Sequence, residues 1–133
     1  MPNSVTIDVG DMLYFDNGYG DHYHVVVAES SPEEGGSIMM VYLSSTDNQY
    51  TDRMTQINPG EHTEITKRSW VKYRSIRTCG KAETAKIVKR YCGKVSPELL
   101  DKIQKGILNS DKVPNGIKEQ FNIWKNDRLY REF

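Results

Sequence analysis

Long apolar runs are absent from this 133-residue sequence. No stretch approaches the ~18 residues that a membrane-spanning helix needs. The opening residues, Met1 to Asp8, are polar and hold no signal-peptide core, so the expected compartment is the cytoplasm. Cysteine is scarce: Cys79 and Cys92 are the only two. Two are too few for a disulfide scaffold and fit a reducing environment as packing residues. His22, His24, His62, Cys79 and Cys92 match no zinc spacing, so neither a metal nor another cofactor is expected. Gly18-Tyr-Gly20 lacks the third glycine and the strand–helix context of a nucleotide fingerprint and reads as a turn. Internal repeats and low-complexity tracts are missing too. What is present, 37% apolar and 27% charged residues, describes one soluble globular domain with a core of its own.

The net charge of zero conceals a polarised chain. Residues 1–60 carry nine acidic side chains and one basic one, Arg53; the remaining residues carry seventeen basic and nine acidic. From Lys67 to Lys94 there are ten basic residues against one acid, Glu83. Interleaved with Trp70, Tyr73 and Tyr91, such a stretch suits a phosphate-bearing polymer, since cations neutralise the backbone and rings stack on bases. It equally describes a solvated lysine-rich face.

The first half has β character. Asp11–Phe15, the β-branched run Tyr23–Ala28 and Ser37–Ser44 are expected strands, separated by turn chemistry at 16–20 and 29–36. Residues 45–59 form a long polar loop with a short strand at 54–57, and Glu61–Ile65 is another short strand. Ser69–Arg74 alternates, with Trp70, Lys72 and Arg74 on an outer, basic face. A helical turn at 81–86 and a last strand at 87–95 follow. Ser96-Pro97-Glu98 then gives a helix start, with Leu99, Leu100, Ile103, Ile107 and Leu108 on one stripe. A weaker helix over 113–133 carries Ile117, Phe121, Trp124 and Leu129. The expected fold is mainly β with C-terminal helices (α+β), a small and partly open antiparallel barrel.

Four segments in order resemble the MazF/PemK (Kid) family of toxin endoribonucleases: Gly10-Asp11-Met-Leu-Tyr-Phe15, His24-Val-Val-Val27, Ser75-Ile-Arg-Thr78 and Gly93-Lys-Val-Ser-Pro-Glu-Leu-Leu100. The resemblance implies an SH3-like barrel over residues 1–110, with 111–133 as a helical extension. It implies a homodimer, an antitoxin partner that lays an acidic segment into the RNA groove, and metal-independent cleavage of single-stranded RNA. In that chemistry the ribose 2′-OH attacks the adjacent phosphorus, which asks for a base, an acid and cations.

The resemblance places Arg77, of Ile-Arg-Thr, in the catalytic set. A guanidinium there either grips phosphate with parallel hydrogen bonds or ties its strand to a carboxylate or carbonyl. The family's Arg-Pro pair before the second strand reads Tyr23-His24 here, so its arginine is missing. His22 and His24, alternating onto one face, are candidate acid–base substitutes; otherwise they are ordinary surface histidines. Ser44 or Ser45 stands where the family carries a Ser/Thr, as a phosphate contact or a strand-end turn. Arg74 replaces a frequent acid. RNA binding is then expected from Tyr23, Ser45, Lys67, Arg68, Lys72, Arg74 and Thr78. Convergence of the histidines and Arg77 in one groove marks a nuclease; scatter marks a module that binds RNA or a protein without cutting. A CcdB-like gyrase toxin on the same barrel ranks low, because Asp127–Phe133 lacks that family's Trp-Gly-Ile ending.

Overall fold

A computed structural model of the chain describes residues 6–31 and 36–131, with side chains through residue 128. The expected meander is there: β1 (Asp11–Asp16), β2 (Asp21–Glu29) and β3 (Ser37–Ser44). Its first turn is closed by the Asp16 carboxylate, which accepts from the backbone N–H groups of Gly18 (2.8 Å) and Gly20 (3.3 Å). The second expected turn falls largely on 32–35, outside the described residues. After β3 come β4 (Gln56–Ile57), β5 (Ser69–Val71), a 3-10 turn (Tyr73–Ser75), β6 (Arg77–Gly80), α1 (Lys81–Ile87), β7 (Arg90–Lys94), α2 (Pro97–Asn109) and α3 (Asn115–Arg131). The sheet order is β4-β5-β3-β2-β1-β7, all antiparallel, with β6 also pairing β3. One edge of β3 is shared, Ser37–Met40 with β6 and Leu43–Ser44 with β5. β4 and β7 remain apart at the two ends, so the sheet curls into a half-barrel.

Three segments differ from expectation. Residues 61–65 are turns, because Ile65 N bonds back to His62 O (3.0 Å) and Gly60 N to Ile65 O (3.3 Å). The strand expected over 69–74 stops at Val71, where the chain tightens into the 3-10 turn. Trp70 is therefore buried, not on an outer basic face, with the Arg53 and Arg68 guanidiniums over its ring. The last strand is shorter than 87–95: α1 runs through Ile87, and β7 begins at Arg90. Opposite Met12, β7 takes an extra residue at Cys92–Gly93, and Gly93 sits at φ +82°, open to glycine at little cost.

Two apolar layers hold the sheet. On one face Met12, Val25, Val41, Val71 and Tyr73 pack with Leu99, Ile103 and Ile107 of α2 and with Phe121 and Trp124 of α3. On the other, Ile7, Leu13, Phe15, Val26, Ile38 and Met40 form a smaller cluster. α2 starts as its sequence dictates: Ser96 Oγ accepts from Leu99 N (3.1 Å) and Pro97 takes the first turn. Leu108, at the stripe's edge, is exposed. In α3, Leu129 lies outside the described side chains. The Gly10-Asp11 pair is architectural. Gly10 turns the chain at φ +91°, and buried Asp11 accepts from Asp8 N (2.7 Å), Tyr91 Oη (2.8 Å) and Lys94 Nζ (2.8 Å). Among the described residues no helix is long and apolar enough to cross a membrane.

Candidate active site

Register builds the site. Across the sheet, Leu43 of β3 faces Tyr23 of β2, Tyr23 faces Tyr14 of β1, and Tyr14 faces Arg90 of β7. Side chains directly opposite in neighbouring strands share a face, so these residues form one row. The Arg90 guanidinium lies 5.2 Å from the Tyr14 ring centre and 5.9 Å from that of Tyr23. It donates to Tyr23 Oη (3.2 Å) and pairs with Glu64 Oε1 at 2.8 Å. Tyr23 Oη in turn donates to the same Glu64 oxygen (3.1 Å). Burial pushes the Tyr23 hydroxyl up from its ordinary value, with a smaller upward push from Glu64, so it keeps its proton.

Beside this row opens a cleft of about 310 Å³, lined among others by His22, Tyr23, Ser44, Ser45, Glu64 and Lys67. Ser44 and Ser45 close the end of β3, and the Ser44 hydroxyl accepts from Thr46 N (3.2 Å). His22 Nδ1 bonds Gly20 O (3.0 Å), which leaves its other ring nitrogen for a ligand. The cleft thus combines the hydroxyls of Tyr23, Ser44 and Ser45, the Glu64 carboxylate and one cation, Lys67, with His22 at its edge, groups that phosphodiester chemistry uses.

His24 does not reach the cleft. It shares the β2 face of His22, as alternation requires, but lies 2% exposed with its ring stacked on Phe15 at 3.8 Å between centres. Its Nδ1–H donates to His22 O (2.9 Å), while Nε2 is buried without a hydrogen bond. Burial, helped by the Arg77 charge, pushes this imidazole down to about 4, so it is neutral at physiological pH. Arg77 and Thr78 line a different groove, about 350 Å³, with Phe15, Met40 and Ile87. Lys72 and Arg74 stand in a third, about 470 Å³, whose rings are Tyr42 and the exposed Tyr50. Arg68 pairs with Asp47 (3.4 Å) over Trp70. His24 thus lies behind the Arg77 groove, which shares Phe15 with it, while His22 rests against Tyr42 at 4.8 Å between ring centres. Lys67, Tyr23, Ser44 and Ser45 do meet. Among the described residues no three His, Cys, Asp or Glu side chains gather as metal ligands, and both cysteines are free and half-buried.

Sequence reasoning missed Glu64 and the placement of Arg90. Glu64 sits in a segment expected as a strand and found as turns, and Arg90 is one of ten basic residues in its stretch. Strand register brings Arg90 to Tyr23, and the turns over 61–65 bring Glu64.

The fold has relatives of known structure. A mycobacterial endoribonuclease in complex with its cognate antitoxin is similar at TM-score 0.56 and 23% identity, covering 80% of this chain and 95% of that one. A second mycobacterial endoribonuclease is similar at TM-score 0.55 and 20% identity, covering 85% and 98%. No curated protein matches the sequence. The model of the PemK-like, MazF-like toxins matches residues 10–110. That span holds the whole sheet, the cleft and α2, and the chain belongs to this family of toxins of type II toxin–antitoxin systems.

Proposed function

We propose that this toxin cleaves single-stranded RNA at the cleft beside Tyr23, without a metal, in the cytoplasm. One observation carries the reading: in a chain of this family, the Tyr23, Ser44 and Ser45 hydroxyls, the Glu64 carboxylate and the Lys67 ammonium line one cleft at the start of β2 and the end of β3, and the Arg90 guanidinium is held on Tyr23 and Glu64. In the reaction the 2′-oxygen bonds to phosphorus and the P–O5′ bond breaks. The 2′ proton passes to a base and the departing 5′-oxygen takes up a proton. The products end in a 2′,3′-cyclic phosphate and a 5′-OH. Developing charge on the phosphate is met by fixed cations. The related structure with its antitoxin supports a protein antitoxin for this chain as well. The family resemblance supports a homodimer, in which Arg77 and Thr78, Lys72 and Arg74 extend the RNA path beyond the cleft. Beyond residue 110, α3 (Asn115–Arg131) serves as a helical extension of the barrel unit.

A second reading is favoured by a specific observation: Tyr23 replaces the expected arginine and His24 is buried neutral, so the groups expected to substitute are not both at hand. The protein then grips RNA, or a protein partner, without cutting. Incubating the purified protein with a long single-stranded RNA in EDTA, and analysing the ends, decides. Cuts at a few sites with cyclic phosphate and 5′-OH termini support the nuclease, and Arg77→Ala should reduce them while the fold persists. Salt-dependent binding without cuts supports the second reading. Neither binding nor cuts removes RNA as the target.

A further inference from the structure

The nuclease reading leaves open which cation meets the scissile phosphate. We propose that Arg90 grips it, and that Tyr23 and Glu64 position the guanidinium. This inference rests on the nuclease reading.

Three observations lead to it. Arg90 is tethered at two points, to Glu64 Oε1 and to Tyr23 Oη, and braced against two rings, so its direction is fixed rather than sampled. Both tethers line the cleft. A guanidinium has five N–H donors; the two tethers leave the others for phosphate oxygens, and half of the Arg90 side chain stays solvent-exposed against a quarter of Glu64.

Apart from Lys67, the other cations near this face are placed elsewhere. Lys89 is spent on Asp21 (2.8 Å), Lys94 on Asp11, and Arg68 lies over Trp70. Arg77 lines another groove. Lys67 lines the cleft, but an ammonium is a point charge without the fork that matches two phosphate oxygens. β7 therefore delivers, across three strands, a guanidinium to the hydroxyl of Tyr23, the residue that occupies the place of the missing arginine. Glu64 keeps Arg90 paired while the site is empty, and the N–H groups left free can make charge-assisted hydrogen bonds to phosphate oxygens.

The test compares Arg90→Gln, Arg90→Lys, Arg90→Ala and Tyr23→Phe with the wild type on the same RNA. Arg90→Gln is expected to cut about 100-fold more slowly or worse, the usual loss when one preorganised donor to a developing anion is removed. Arg90→Lys should recover only part of the rate. Added guanidinium ion should restore Arg90→Ala, a rescue that a merely structural arginine would not show. Tyr23→Phe should lower kcat with KM little changed, because it loosens the tether without removing the charge. The double variant Tyr23→Arg with Arg90→Gln should regain cleavage by moving the guanidinium onto β2. Cleavage by Arg90→Gln at the wild-type rate overturns the proposal and leaves the nuclease reading standing. Loss of cleavage without guanidinium rescue, accompanied by a lowered melting temperature, also overturns it. No cleavage by the wild type overturns both.

Discussion

His24 shows how one residue's surroundings reverse its expected use. By alternation it shares a face with His22, and that much is legible in the sequence. Its depth is not, because burial depends on Phe15 from β1 closing over the ring. The consequence is measurable. An ordinary imidazole titrates at 6.5, and in the fold this one is pushed down to about 4. Below 6.5 the unfolded chain takes up a proton that the folded chain refuses, so stability falls as pH drops through that window. From about pH 7 to about pH 4.5 this group alone should remove about 2–3 kcal/mol. Urea unfolding of wild type and His24→Leu at both values isolates it, since other carboxylates titrate in both proteins. The variant should lose less stability on acidification by roughly that amount. An equal loss in the two proteins would show that the imidazole is protonated in the folded state. Glu64 and Arg90 illustrate the opposite limit: their meeting depends on the β1–β7 register and on the turns over 61–65, which no local pattern reveals.

At the scale of elements, what was legible is what local chemistry fixes. β3 runs from Ser37 to Ser44 as its β-branched and apolar residues require, and α2 begins at the Ser96 cap. What was not legible depends on partners far along the chain. The strand over 69–74 ends early because Tyr73 turns inward, where its hydroxyl meets Thr55 Oγ1 (2.6 Å) and donates to Ile103 O of α2 (2.8 Å). Burial pushes this hydroxyl up to about 12. The same contact explains a glycine in the middle of α2: a Cβ on Gly106 would collide with the Tyr73 hydroxyl. Helix propensity alone favours Gly106→Ala by about 1 kcal/mol. Here the sign should reverse, with a lower melting temperature for Gly106→Ala. The Tyr73 ring carbon and Thr55 Oγ1 obstruct the methyl as well, so Tyr73→Ala, which removes hydroxyl and ring together, should leave its double variant with Gly106→Ala less destabilised than the sum of the single ones. Additive losses would mean that α2 shifts to accommodate the methyl instead.

Across the whole molecule, the polarised sequence does not become a polarised body. Acids of the first half are paired to bases of the second: Glu29 with Lys81 (2.8 Å) and Arg128 (3.2 Å), Asp21 with Lys89 (2.8 Å), and Asp8 with Arg128 (3.1 Å). Those contacts hold Asp8 well below the usual carboxylate range, against burial that raises it. They fasten α1, β7 and α3 to the meander. Antiparallel pairing interleaves the two halves, which no count along the chain reveals. Much of the basic stretch is thus structural, and its cations without an ion pair among the described residues are fewer: Lys67, Lys72, Arg74, Arg77 and Lys86. If these lie along the RNA, each neutralised phosphate contributes about −0.7 to the slope of log K against log salt for a single strand. Anisotropy titrations of a fluorescent single-stranded RNA across a salt series should therefore show the Lys72→Ala/Arg74→Ala variant with a slope shallower by about 1.4. Lys89→Ala, whose partner is Asp21, should keep the wild-type slope. Equal slopes for all three proteins would place the RNA away from the third groove and confine it to the cleft beside Tyr23.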